Sequence, residues 1–189
     1  EELKKHIKPG LAVAVVAFSF RGERVKSLSD WETLYGKKNG KYYGGIVGGL
    51  AAYGIAEDRV SFVNYFTDTK ESAANKIEAA DILYFPGGLP TELMERIKEF
   101  ALYERLLRHE GIVMGYSAGA LVQLAEYHLS PDGDYPAFQY GEGLPYLDDF
   151  YVEVHYEGTD AQESAIRRVL AERGKTVYAP ALGAGAILV

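Results

Sequence analysis

The sequence predicts a doubly wound α/β fold, a mostly parallel sheet with helices on both faces. Three observations predict it. Short apolar runs alternate with amphipathic stretches along the chain. The run Leu11–Phe18 (LAVAVVAF) is continuously apolar, as a strand buried on both faces must be. Between Gly111 and Tyr127 an apolar run passes into good helix formers through Gly115-Tyr116-Ser117-Ala118-Gly119. That is a G-x-S-x-G pattern at a strand-to-helix junction, the arrangement of a nucleophile elbow.

Taken in order, Leu3–Lys8 reads as the tail of a basic helix closed by Pro9-Gly10, and Leu11–Phe18 as the first strand. Residues 19–29 form a loop at that strand's C-terminal end, the edge where open α/β sheets bind ligands. Arg21, Arg24 and Lys26 are candidates there for contact with an acidic substrate, or are simply solvated. Ser29-Asp30 starts a short helix through Trp31 and Leu34. Tyr43–Tyr53 is expected to be helical despite four glycines, with close packing on the sheet offsetting roughly 1 kcal/mol for each.

Arg59–Phe66 reads as a strand, and Thr67 or Asp68 caps a helix running to Ala80. Asp81–Phe85 is the next strand, ending in Pro86-Gly87-Gly88-Leu89-Pro90 before a helix that begins at Thr91. A helical run at Leu102–Arg108 leads into the strand before Ser117. Ala118–Tyr127 is expected to be one helix and His128–Leu147 a long loop. Phe150–Val154 is a strand with His155 at its end, Asp160–Arg173 an amphipathic helix, and Thr176–Ala181 and Ala186–Val189 final strands forming a hairpin.

With 189 residues and no repeat or composition break, residues 1–189 read as a single α/β domain. The chain starts without Met and stops inside a strand-like run, so terminal segments are expected to be missing. Apolar residues make up 48% and charged residues 25%, as in soluble globular proteins. A net charge of −7 disfavours phosphate backbones, so nucleic acid is not an expected partner. No apolar run approaches the roughly 20 residues that span a bilayer, so no membrane partner is expected. Cysteine is absent, which removes disulfides, zinc–thiolate sites and a cysteine nucleophile. Together with the lack of a leader at Glu1, this points to a cytoplasmic location.

Ser117 needs a base to become a nucleophile. Of the four histidines, His6 and His109 sit in charged helical contexts. His128, on a continuous helix, would lie roughly 16 Å from Ser117. That leaves His155 at a strand end. An acid must then hold the base's tautomer. Asp132 is favoured because it gives the order Ser…Asp…His, with Asp134, Asp148, Asp149 and Asp160 as alternatives; Asp132 is equally a turn former with Gly133. Oxyanion donors are expected from the Ala118 N–H and from Gly87-Gly88 after the neighbouring strand.

Gly87-Gly88, Gly115–Ala120 (GYSAGA) and Val154-His155 resemble the peptidase S51 group, which includes dipeptidase E and cyanophycinase. The resemblance runs from Leu11 to Val189. It implies a class I glutamine-amidotransferase-like, flavodoxin-like three-layer fold, with serine in place of the usual cysteine. It implies a small-peptide substrate cleaved next to aspartate, with no metal or other cofactor. By this match Ser117 is the nucleophile, His155 the base, Asp132 the acid, and Gly88 with Ala118 the oxyanion hole. Two departures stand out. Leu89 follows the paired glycines where the group often has Asn or Asp, and no acid appears in Ala179–Val189. The expectation is therefore a serine peptidase or amidohydrolase, with a non-catalytic binding module on the same fold as the alternative and an α/β-hydrolase esterase behind both.

Overall fold

The computed structural model describes residues 3–181 and 183–185, so the expected strand at Ala186–Val189 lies outside the described residues. Four parallel strands form the central sheet: β1 (Val13–Val16), β2 (Val60–Val63), β3 (Ile82–Phe85) and β4 (Ile112–Gly115), in the order β2-β1-β3-β4. β1 is interior to the sheet and all four of its residues are buried. That is why Leu11–Phe18 shows no polar alternation.

Side chains leave the sheet with a period of two. Ala14, Val16, Leu83 and Phe85 pack on one face, with residues of α4 (Lys70–Glu78), α5 (Pro90–Glu99), α6 (Tyr103–Leu107) and α7 (Ala118–Leu121). Val13, Val15 and Ile82 pack on the other, with Ile7 just after α1 (Leu3–His6), Trp31 and Tyr35 of α2 (Leu28–Tyr35), and Ile46 and Leu50 of α3 (Tyr43–Ala51). These are the three layers expected of the fold. Caps set the helix starts. Ser27 accepts the Asp30 N–H, and Thr69 and Ser72 form a reciprocal capping box on α4. Pro90 opens α5, where a missing N–H costs nothing. Among the described residues no helix is long and apolar enough to cross a membrane.

The structure departs from the sequence reading after Ser117. Helix α7 is only four residues long, not ten. The chain then enters β5 (Glu126–Leu129), which pairs antiparallel with β6 (Gln139–Glu142), His128 opposite Tyr140. Residues 122–125 are held by the returning chain: Ala125 N–H donates to Leu147 C=O and Leu144 N–H to Val122 C=O. These long-range bonds outweigh helix propensity, which is a weak local preference. The expected loop at 128–147 thus holds a hairpin. β7 (Phe150–Val152) and β8 (Thr176–Tyr178) pair in parallel, joined by α8 (Asp160–Arg173); the expected hairpin of this last strand with Ala186–Val189 lies outside the described residues.

The glycines of α3 are a second departure. A Cβ at Gly44, Gly45, Gly48 or Gly49 would meet nothing within 4 Å, so close packing does not account for them. Only Ile46 and Leu50 of this helix are buried. We expect Gly48→Ala to stabilise the protein by up to about 1 kcal/mol and raise Tm by about 2–4 °C, measured by urea and thermal unfolding.

Candidate active site

The site is built where β3 and β4 end, with Phe85 beside Gly115 in register. Past Gly115 the chain turns sharply. Ser117 holds φ 54° and ψ −115°, outside the regions L residues favour. Short contacts fix the turn. Tyr116 N–H donates to Phe85 C=O at 3.1 Å, and the N–H of Leu121 to Ser117 C=O at 3.1 Å. A Cβ on Gly119 would sit 1.8 Å from the Phe85 carbonyl oxygen, and one on Gly115 would sit 2.0 Å from that of Gly119. No side chain fits at either place. Because α7 is a single turn, its contribution at Ser117 comes from free N–H groups rather than a long aligned dipole.

His155 follows β7 and also has a positive φ, 53°. Its Nε2 lies 2.8 Å from Ser117 Oγ. With its proton on Nδ1, the ring accepts the serine O–H at Nε2. The Tyr116 ring meets the imidazole edge-on, centroids 5.7 Å apart. The backbone is tied down as well: Gln162 Nε2 donates to His155 C=O at 3.0 Å. Gln162 also completes the capping box of α8 with Thr159. The same side chain therefore starts α8 and anchors the histidine.

The glycine pair after β3 lies against the end of β1. Leu89 N–H donates to Ser19 C=O at 2.7 Å, and Ser19 Oγ donates to Gly87 C=O at 2.7 Å. Gly88 has φ 145°, and a Cβ there would fall 2.1 Å from Ser19 C=O. Glycine is required on both counts. Buried Arg96 braces this corner. It donates to Phe18 C=O and Phe20 C=O, pairs with Glu92, and lies 3.8 Å above the Phe20 ring. Burial lowers its pKa below the usual arginine range, with Glu92 opposing that shift. The Gly88 and Ala118 N–H groups have no hydrogen-bond partner among the described residues, and both residues line the cavity beside Ser117.

That cavity, of about 450 Å³, is bordered by Ser117, His155, Asp132, Tyr135, Glu153 and Glu157 among others. This is an ordinary size for a small-ligand pocket. Tyr135 is held by Thr91 at 3.1 Å, and burial raises its pKa, so it stays a neutral phenol. Another cavity, about 510 Å³, lies at the opposite end of the strands beside Asp81, Arg105 and His109. No serine, threonine or tyrosine is among its described lining residues.

The structure does not bring Asp132 to His155. Asp132 Oδ1 accepts the N–H groups of Asp134 (2.7 Å) and Tyr135 (2.8 Å), closing its own turn, and no hydrogen bond joins it to His155 among the described residues. The alternatives fare no better. Asp134 is paired with Arg21, Asp148 with Lys175, and neither Asp148, Asp149 nor Asp160 borders the cavity. Arg21, Arg24 and Lys26 do not border it either.

Sequence reasoning missed a buried cluster beside the serine. Glu153 Oε2 accepts from Ser130 Oγ (2.6 Å) and lies 2.7 Å from His128 Nε2; its Oε1 is 3.3 Å from Gln162 Nε2. His128 borders the cavity because it stands on β5, not on a long helix. The available signal was a carboxylate inside the apolar run Phe150–Val154, since such residues are buried only when partnered.

The fold and site together define an α/β protein with a serine and a histidine in contact at the C-terminal edge of a parallel sheet. The chain belongs to peptidase family S51, whose sequence model matches residues 42–188. Among solved structures it is similar to the 1.5 Å crystal structure of a candidate peptidase E protein from Listeria monocytogenes EGD-e, with TM-score 0.59, 19% identity, and coverage of 94% of this chain and 81% of that one. It is also similar to a peptidase from an acI-B1 Actinobacterium, with TM-score 0.58, 17% identity, and coverage of 92% of this chain and 68% of that one. None of the curated proteins matches the chain. We expect Gly119→Ala to destabilise the protein by on the order of 3 kcal/mol in urea unfolding, because its new methyl meets backbone that cannot give way.

Proposed function

We propose that this protein is a serine-type peptidase acting on small peptides, with Ser117 on a nucleophile elbow. The observation that carries the reading is the 2.8 Å contact between His155 Nε2 and Ser117 Oγ. It lies within the range a nucleophile and its base require. His155 takes the Oγ proton as the oxygen attacks the peptide carbonyl carbon. The resulting oxyanion is met by the N–H groups of Gly88 and Ala118. The imidazolium gives its proton to the leaving amine, and an ester on Ser117 remains. A water, deprotonated by His155, releases the acid and restores the serine.

Asp132 enters this proposal as a carboxylate in the cavity wall. It acts through its charge, which favours the imidazolium, and not through a hydrogen bond to the ring. Tyr116 and Gln162 hold the imidazole's position. The lack of cysteine supports a reducing compartment, and we place the enzyme in the cytoplasm.

Ser117→Ala is expected to lower kcat by a factor on the order of a million on any peptide the enzyme hydrolyses. Asp132→Asn should cost only about tenfold, against about 10⁴ for an acid bonded directly to the base. Labelling by a fluorophosphonate, present in the wild type and absent in Ser117→Ala, checks that the serine is activated. A wild type that takes no label is a binding module on this fold, not a peptidase.

A further inference from the structure

We infer that Glu153 is a positioning residue for the proposed reaction: a buried acceptor that fixes which way Gln162 turns its amide, and through it the backbone of His155. The inference rests on the reading of Ser117 and His155 as nucleophile and base. It assigns the task of orienting the base, for which no side chain is bonded to His155 Nδ1 among the described residues.

Glu153 directly follows β7, and its N–H donates to Tyr178 C=O of β8 at 2.8 Å, so its backbone is fixed. The residue is 5% exposed. A carboxylate accepts hydrogen bonds and donates none. Its Oε2 is taken by Ser130 Oγ at 2.6 Å and by His128 Nε2 at 2.7 Å, which therefore carries the ring proton. That leaves Oε1, which accepts from Gln162 Nε2 at 3.3 Å.

The same NH2 group donates to His155 C=O at 3.0 Å. Both of its partners are acceptors only, so both of its hydrogens are used. The amide oxygen is left to receive the N–H of Glu157 at 2.9 Å and that of Thr159 at 3.4 Å. A flipped amide would set oxygen against a carboxylate and a carbonyl, and NH2 against two N–H groups. Capping α8 alone would be served by Glu at position 162 as well as by Gln. The carbonyl that Gln162 grips belongs to a residue at φ 53°, a conformation that persists only where its surroundings impose it.

The test exchanges the two side chains. Glu153→Gln/Gln162→Glu keeps the net charge and both shapes, and the carboxylate placed at 162 still caps α8. The amide placed at 153 turns its NH2 to that carboxylate and its oxygen to His128 and Ser130. One bond is lost, the donor to His155 C=O, and an acceptor stands in its place. In Gln162→Met the capping side chain and the donor both go, but nothing is set against the carbonyl. In Glu153→Gln alone an amide oxygen still receives Gln162. The His128 proton then moves to Nδ1, which has no partner among the described residues, and Nε2 accepts.

Each variant is measured for its urea midpoint and for the rate at which the fluorophosphonate labels the serine, with Ser117→Ala as the blank. Labelling is expected to slow about threefold in Glu153→Gln, about tenfold in Gln162→Met and about 100-fold in the exchange, through kinact and not KI. Stability takes a different order, with Gln162→Met below the exchange, because only the exchange keeps the capping box. Rates that follow the stability order make Glu153 and Gln162 structural only; they overturn the inference and leave the serine and histidine assignment standing. So does an exchange variant that labels at the wild-type rate. If the exchange does not fold, Glu153→Gln and Gln162→Met decide, and equal rates in the two overturn the inference. A wild type that takes no label removes the catalytic reading, and the inference falls with it.

Discussion

The site depends on how closely one turn of backbone sits on the ends of two strands. Phe85 C=O accepts from Tyr116 N–H, and the same carbonyl lies where any side chain on Gly119 would have to go. With Gly115 pressed against Gly119 C=O as well, the chain between them has one way to turn. Ser117 is forced to positive φ, and its Oγ comes within 2.8 Å of the histidine. Positive φ at a serine is unfavourable by itself and persists because the packed strands beneath it over-determine the turn.

A second constraint works from the other side of β3. A Cβ on Gly88 would fall 2.1 Å from Ser19 C=O, nearly as close as the 1.8 Å at Gly119 and Phe85. The loop it belongs to is held by hydrogen bonds in both directions between Ser19 and Gly87–Leu89. Arg96 satisfies the Phe18 and Phe20 carbonyls flanking Ser19, groups that would otherwise be buried without donors at the end of β1. A charged residue of α5 thus stabilises the glycine loop with no hydrogen bond to it among the described residues.

How much of this the sequence discloses depends on whether a feature is local. β1 is legible because burial on both faces leaves an unbroken apolar run, and the turn at Ser117 because three small residues cluster around it. α4 and α8 are legible from their apolar spacing, although the cap of α4 is Thr69 and not Thr67 or Asp68. β5 is not. Glu126-Tyr127-His128-Leu129 has acceptable helix formers, and only its pairing with residues 139–142 makes it a strand. A continuous helix there carries His128 away from Ser117, whereas on β5 it borders the cavity. Asp132 shows the opposite difficulty. Its spacing fits an acid, but Asp-Gly is also a turn signal, and the turn is what the carboxylate serves. Nothing local marks the glycines of α3 as exposed.

Gln162 has a consequence of its own. Helices unravel from their ends, where hydrogen bonds are fewest, before their middles give way. The first turn of α8 and the placement of the imidazole share that one amide. Fraying at α8 therefore loosens His155 while the central sheet is still intact. Heat would silence such an enzyme at temperatures below those that melt it, and cooling would restore it.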